Sequence, residues 1–202
     1  MTRLSRILST LFSPLLMPTI GMIAVVTLSI MSVLPARVLF TAVCVTFVMT
    51  CLIPLACIFT LYRMGYAKDP GLNEQGDRTV PYFIAIMSYL GCAFFFYRSG
   101  APIWVVNFLN GGATAILINM LVNFKWKISG HSAAMGGLVA LFFRLQASHV
   151  AVYDMNLWIS GVLLLAGVVM TSRIYLGRHT LWQTLAGAAN GYLCVWFMSM
   201  LH

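Results

Sequence analysis

Acidic side chains are nearly missing from this sequence: Asp69, Glu74, Asp77 and Asp154 are all that its 202 residues carry. The first three share one polar segment and read as a solvated group, so no carboxylate stands near His131 or His179 along the chain. That argues against a hydrolytic centre built on two metal ions, which draws on carboxylate ligands. Charge of either sign is scarce, at 8% of residues. Cysteines occur without pattern: Cys44, Cys51, Cys57, Cys92 and Cys194 all lie in apolar runs, with no CxxC pair and no histidine at ligand spacing. They read as small buried hydrophobes and say little about a redox compartment. There is no internal repeat and no low-complexity tract. The basic residues are scattered between apolar runs instead of forming one basic face, which argues against nucleic acid as a partner.

What fills the chain is apolar: 61% of residues are hydrophobic and the mean hydropathy is +0.92, far above an ordinary soluble domain. This is the composition of an integral membrane protein. A bilayer core takes about 20 apolar residues per helix, so the expected fold is all-α, a polytopic transmembrane bundle of about six to seven spans. Apolar stretches run at 14–34, 38–62, 80–97, 102–124, 131–147, 156–172 and 181–201, and they leave nothing for a separate soluble domain. The whole chain, 1–202, is read as a single integral membrane domain. Arg3 and Arg6 precede the run that begins near Pro14, as in a signal peptide, but no convincing small-residue cleavage site follows, so the run is kept as the first span. Pro18 and Pro54 are tolerable within spans where neighbouring helices satisfy the released carbonyls. Gly187 and Gly191 form a GxxxG spacing in the last span, the pattern of close helix packing.

Against this background SRIYLGRHTLWQ, residues 172–183, concentrates Arg173, Arg178 and His179 between two apolar runs. Ionisable groups at membrane depth are costly and usually face a cavity, a partner or a substrate. The arginines can hold an anion while His179 does chemistry on it. If all seven stretches span, the segments 63–79, 125–131 and 172–180 are separated by two spans each and share one face of the membrane. In KWKISGH, residues 125–131, Ser129 can cap a helix starting at Gly130, and Gly130 lets the backbone approach a ligand closely. The amides of Gly130 and His131 would then face an anion. Lys125 reads as a headgroup anchor for the helix end, while Lys127, next to the turn, fits an anchor or a phosphate contact equally.

Two of these segments carry a resemblance. ISGH at 128–131 and SRIYLGRHTLWQ at 172–183 resemble the second and third signature motifs, P-S-G-H and S-R-x5-H-x3-D, of the type 2 phosphatidic acid phosphatase and vanadium haloperoxidase superfamily. The first motif, K-x6-R-P, is met in part. Arg78 and Pro81 in DRTVPY resemble its end with two residues inserted, and its lysine position is Gly71, leaving Lys68 or Lys127 to stand in. The resemblance covers roughly residues 60–200, a six-helix phosphatase-like core, with about 1–60 as additional N-terminal spans.

The resemblance implies hydrolysis of a phosphate monoester through a phosphohistidine, with no metal and no cofactor. His179 would be the nucleophile and His131 the general acid and then base. Arg173, Arg78, Ser129, the Gly130 amide and Lys127 would hold the phosphate oxygens. One position departs from the pattern: the aspartate four residues after the nucleophile is Gln183 here. Spacing of four would put Gln183 on the same helix face as His179, where its amide oxygen can accept the ring N–H but supplies no negative charge.

The other polar residues read more plainly. Asn107, Asn110, Asn119 and Asn123 recur within one span as interhelical hydrogen-bonding groups, with Asn110 the candidate for a substrate path. Arg178 fits a phosphate or a lipid headgroup. Trp104, Trp126, Trp158 and Trp182 fall near span ends as an interfacial belt. Counting Lys and Arg, nine lie on the active-site face and three on the other, which points to a cytoplasmic site by the positive-inside rule. Without the five that a phosphate site would claim the count is four against three. The expectation is therefore a multi-pass protein of a bacterial-type inner membrane that hydrolyses a lipid phosphate such as phosphatidate, a phosphatidylglycerol phosphate or a polyprenyl phosphate. The alternative is a lipid-phosphate binding or transport protein on the same scaffold. Its partners are the lipid phosphate and membrane lipids, and the sequence does not specify an oligomeric state.

Overall fold

The computed structural model of the protein describes residues 2–65 and 79–200. Arg78, Lys68, the three clustered acids and His202 lie outside the described residues. Among those described the protein is helical: α1 Thr2–Leu11, α2 Met17–Leu28, α3 Ala36–Arg63, α4 Thr79–Arg98, α5 Ile103–Asn123, α6 Gly130–Ala147, α7 Asn156–Tyr175 and α8 Leu181–Met198. The all-α membrane bundle expected from composition is the fold found.

Four helices, α3, α4, α5 and α7, are long and apolar enough to cross a bilayer. Their outer faces keep large apolar side chains exposed, among them Phe40, Phe94, Leu121, Leu157 and Leu164, as a lipid solvent requires. The two motif-bearing helices, α6 and α8, are shorter and more polar, each 18 residues. Their polar side chains find partners within the protein: Asn190 bonds to Asn119 and the Ala115 carbonyl of α5, and Arg144 to the Ser199 carbonyl.

The first expected span, 14–34, is not one helix. Pro14 and Pro18 start the chain again after α1, α2 has 12 residues, and it gives way to a 3-10 turn at Ile30–Val33. At about 1.5 Å per residue α2 is roughly 18 Å long, too short to cross alone. Its far end is tied down by backbone bonds from Ile30 N–H to the Val150 carbonyl and from Val152 N–H to the Leu28 carbonyl. In α3 the ladder loosens into a π-helical segment at Val48–Leu52 just before Pro54, whose ring has no N–H to give.

α6 and α8 make the tightest helix pair, and glycine is the reason. A Cβ on Gly187 would strike the Ser129 carbonyl, one on Gly191 the Ala133 carbonyl, and one on Gly136 the Ala188 carbonyl. The GxxxG spacing thus works as a packing device, and α6 answers it with a small-residue face of its own. The result bears directly on the site, because Gly187 presses α8 against the residue that caps α6. The buried core beneath is built from Met22, Val25, Leu109, Met135, Leu141 and Val169 among others.

Candidate functional site

The third-motif segment is a helix end, a turn and a helix start in immediate succession. Arg173 lies in the last turn of α7. Gly177 takes the left-handed conformation with φ 64°, which a side chain would resist. The Arg178 N–H reaches back to the Arg173 carbonyl at 3.1 Å and the Gly177 N–H to the Ile174 carbonyl at 2.9 Å, the paired bonds of a Schellman end. Two residues on, Thr180 opens α8 as its N-cap, with a capping box closed by Gln183. His179 is held between these two fixed ends and is 6% exposed.

Gln183 does meet His179, by a different route from the one that spacing suggested. His179 stands outside the helix, before its cap, so the two are not on one helix face. The capping box turns the Gln183 side chain back instead: its Oε1 accepts the Thr180 N–H at 3.1 Å and lies 3.3 Å from His179 Nδ1. Gln183 also anchors the second motif, since its carbonyl accepts the Ser129 N–H at 3.2 Å.

In the second motif Ser129 caps α6, as its position predicts. Its hydroxyl oxygen accepts from the Ser132 N–H at 3.3 Å and from the Ser132 hydroxyl at 2.9 Å, and the residue is fully buried, 0% exposed. It therefore sits in the cap and not in the cavity wall. Gly130 and His131, the first two residues of the helix, do line the cavity, with the helix dipole behind them. Lys127 is half-buried and is not among the lining residues.

The cavity itself has a volume of about 710 Å³. His131, His179, Arg173 and Arg178 lie at one end, as loop parity requires. The remaining wall is largely apolar and draws on α2, α3, α4, α5 and α6, with Ile58, Ala85, Tyr89, Phe108, Ala115 and Leu138 among its members. Asn119 lines it as well and accepts a hydrogen bond from Asn190 Nδ2 at 3.0 Å. Asn119, not Asn110, is thus the asparagine in the cavity wall.

Helix α1 brings in residues that reading the N-terminus as the lead into a span left out. It packs on α7 and places Ser9 inside the site. Arg173 Nη1 donates to the Ser9 hydroxyl at 2.6 Å, and His131 Nε2 lies 3.0 Å from the Ser9 carbonyl and 3.4 Å from its hydroxyl. Arg6 also lines the cavity. The available signal was the helical period of apolar residues in TRLSRILSTL, with Leu4, Ile7, Leu8 and Leu11 on one side.

Three guanidinium groups, Arg6, Arg173 and Arg178, therefore surround one opening that also bears two imidazoles. Asp154, the one acid among the described residues, lies beyond the far end of α6, a helix of about 27 Å at the usual rise. The geometry defines a polytopic helical membrane protein with a basic, histidine-bearing cavity suited to an anion. The PAP2 superfamily model matches residues 122–202, from the end of α5 through α8, and so takes in both histidine motifs. This is the superfamily of type 2 phosphatidic acid phosphatases that those motifs resemble. No curated protein and no solved structure matches the chain.

Proposed function

We propose that this protein is a membrane lipid-phosphate phosphatase that hydrolyses a phosphate monoester through a phosphohistidine. The observation that carries the reading is the cavity's two-part wall: two histidines and three arginines at one end, apolar helix faces along the rest. A phosphate group fits the first part and a hydrocarbon tail the second. A soluble phosphate ester would need only the basic end.

In this mechanism Gln183 Oε1 accepts the Nδ1 proton of His179 and leaves Nε2 with its lone pair. That nitrogen attacks phosphorus, the P–N bond forms and the P–O bond to the lipid breaks. His131 gives its Nε2 proton to the departing alkoxide. Water then attacks the phosphohistidine, passes a proton to His131, and releases inorganic phosphate as the P–N bond breaks. Arg173 and the Gly130 amide hold the equatorial oxygens, where charge is stabilised through both transfers. Arginine's planar fork suits two oxygens at once. Arg78 belongs to the same proposal through the resemblance. The protein is read as residing in a bacterial-type inner membrane with this site toward the cytoplasm, on a count of basic residues that is nine against three in full and four against three without those a phosphate site would claim.

A second reading, lipid-phosphate binding or transport without turnover, is favoured by two features. Gln183 offers His179 a neutral orienting group, and His131 Nε2 is engaged by a backbone carbonyl of α1. Phosphate release from phosphatidate, phosphatidylglycerol phosphate and polyprenyl phosphate by the purified protein, with and without EDTA, separates the two. Release that EDTA leaves intact and that His179→Ala abolishes is the expected result. Binding of these lipids with no release from any of them would establish the second reading, and loss of activity in EDTA would remove the metal-independent mechanism.

A further inference from the structure

Arg6 and Ser9 are three residues apart in α1, so they share a face of that helix, and both line the cavity opening with Arg173, Arg178, His131 and His179. Ser9 is 8% exposed and takes a hydrogen bond from Arg173 at 2.6 Å. The other side of α1 leaves Ile7 and Leu11 exposed, as for a helix lying in the headgroup region. Arg3 is exposed too, but it does not line the cavity.

Like charges around one opening repel. An anion at the opening that Arg6, Arg173 and Arg178 line offsets this repulsion, each contact being a charge-assisted hydrogen bond. The first-motif lysine position is Gly71; of the two lysines named as stand-ins, Lys127 does not line the cavity and Lys68 lies outside the described residues.

We infer that α1 completes the phosphate site: Arg6 contacts a phosphate oxygen in place of the first-motif lysine, and Ser9 positions the Arg173 guanidinium. The inference rests on the phosphatase reading above. Arg6 acts on substrate directly. Ser9 acts through Arg173, its hydroxyl proton remaining available because the oxygen is the acceptor in that bond. The site of such a protein is then closed from the N-terminal side by a helix that also touches the lipid surface, so substrate binding and the seating of α1 are coupled.

The test uses the purified full-length protein in phosphatidylcholine vesicles, with phosphatidate as substrate and orthophosphate as an independent ligand. Arg6→Gln is expected to raise KM about tenfold and to weaken orthophosphate binding by a similar factor, with a much smaller change in kcat. Arg6→Lys should recover part of both losses. Arg3→Gln removes the same charge from the same helix outside the cavity and should leave both constants within about twofold. Ser9→Ala should raise KM less than Arg6→Gln does, and Ser9→Thr, which keeps the hydroxyl, should restore it. If Arg6→Gln matches Arg3→Gln in both constants while His179-dependent release persists, the α1 assignment is overturned and the phosphatase reading stands; a wild-type protein that neither releases nor binds phosphate overturns both.

Discussion

The amide oxygen of Gln183 lies 3.3 Å from Nδ1 of His179 and accepts the Thr180 backbone N–H at 3.1 Å. A backbone N–H can only donate, so this bond fixes which end of the amide is oxygen. The same oxygen then faces Nδ1, which must carry the proton for the pair to bond. In the neutral ring the lone pair then falls on Nε2, so a helix-capping interaction selects the tautomer. A carboxylate in that place would do the same and also stabilise the charge that develops on the ring.

Gln183→Asp is accordingly expected to raise kcat by about tenfold or more, in the direction opposite to the amide-for-carboxylate loss known from the serine-protease triad. Gln183→Leu should lower kcat by at least about a hundredfold and cost about 1 kcal/mol through the broken capping box. Steady-state rates on one lipid phosphate together with thermal unfolding check both. An unchanged kcat in Gln183→Leu would show that the amide does not orient His179.

Glycine in α6 and α8 should separate folding from binding. Gly191→Ala drives a methyl group into the Ala133 carbonyl, backbone against backbone, and should cost about 1–3 kcal/mol, seen as a lower Tm and poorer yield. At Gly130 an added Cβ meets only Tyr82 and Pro14, at 3.8 and 3.9 Å. Gly130→Ala should keep the wild-type Tm and instead raise KM for a phosphate substrate, since the methyl group is added beside the amide proposed to hold a phosphate oxygen. A Gly130→Ala protein with normal KM would remove that amide from the site.

The apolar part of the cavity makes a prediction about tails. Ala115 is buried in its wall, and Ala115→Phe fills the space beyond the basic end. Activity on long-chain phosphatidate should fall about tenfold or more while a short-chain, water-soluble analogue is cleaved at nearly the wild-type rate, because only the long tail loses buried area. Equal losses on both substrates would mean that the tail does not enter this cavity.

Orientation can be read from Trp126, exposed in the turn between α5 and α6 at the same end as the site. In Trp126→Cys, labelling by a membrane-impermeant thiol reagent is expected only after the cells are permeabilised. Labelling of intact cells would place the site on the outer face.

Composition and spacing were sufficient for the all-α membrane fold, for the capping role of Ser129 and for the close approach signalled by Gly187 and Gly191. Each depends on local chemistry or on the solvent that an apolar chain must satisfy, and such properties are written residue by residue. The first span breaks where hydropathy runs on, because hydropathy sums over Pro14 and Pro18 without registering that the helix stops at Leu11 and restarts at Met17.

By itself the sequence determined that two histidine motifs share one face of a bundle, since that follows from counting spans. Tertiary structure alone decided which polar groups meet. Ser9 reaches Arg173 across 164 positions and Asn190 reaches Asn119 across 71, and no period or motif encodes a contact at that separation. It also decided that Ser129 turns into its own helix cap while Gly130 faces the cavity. Steric fit between packed helices sets such choices, and fit is a property of the assembled volume that no single segment possesses.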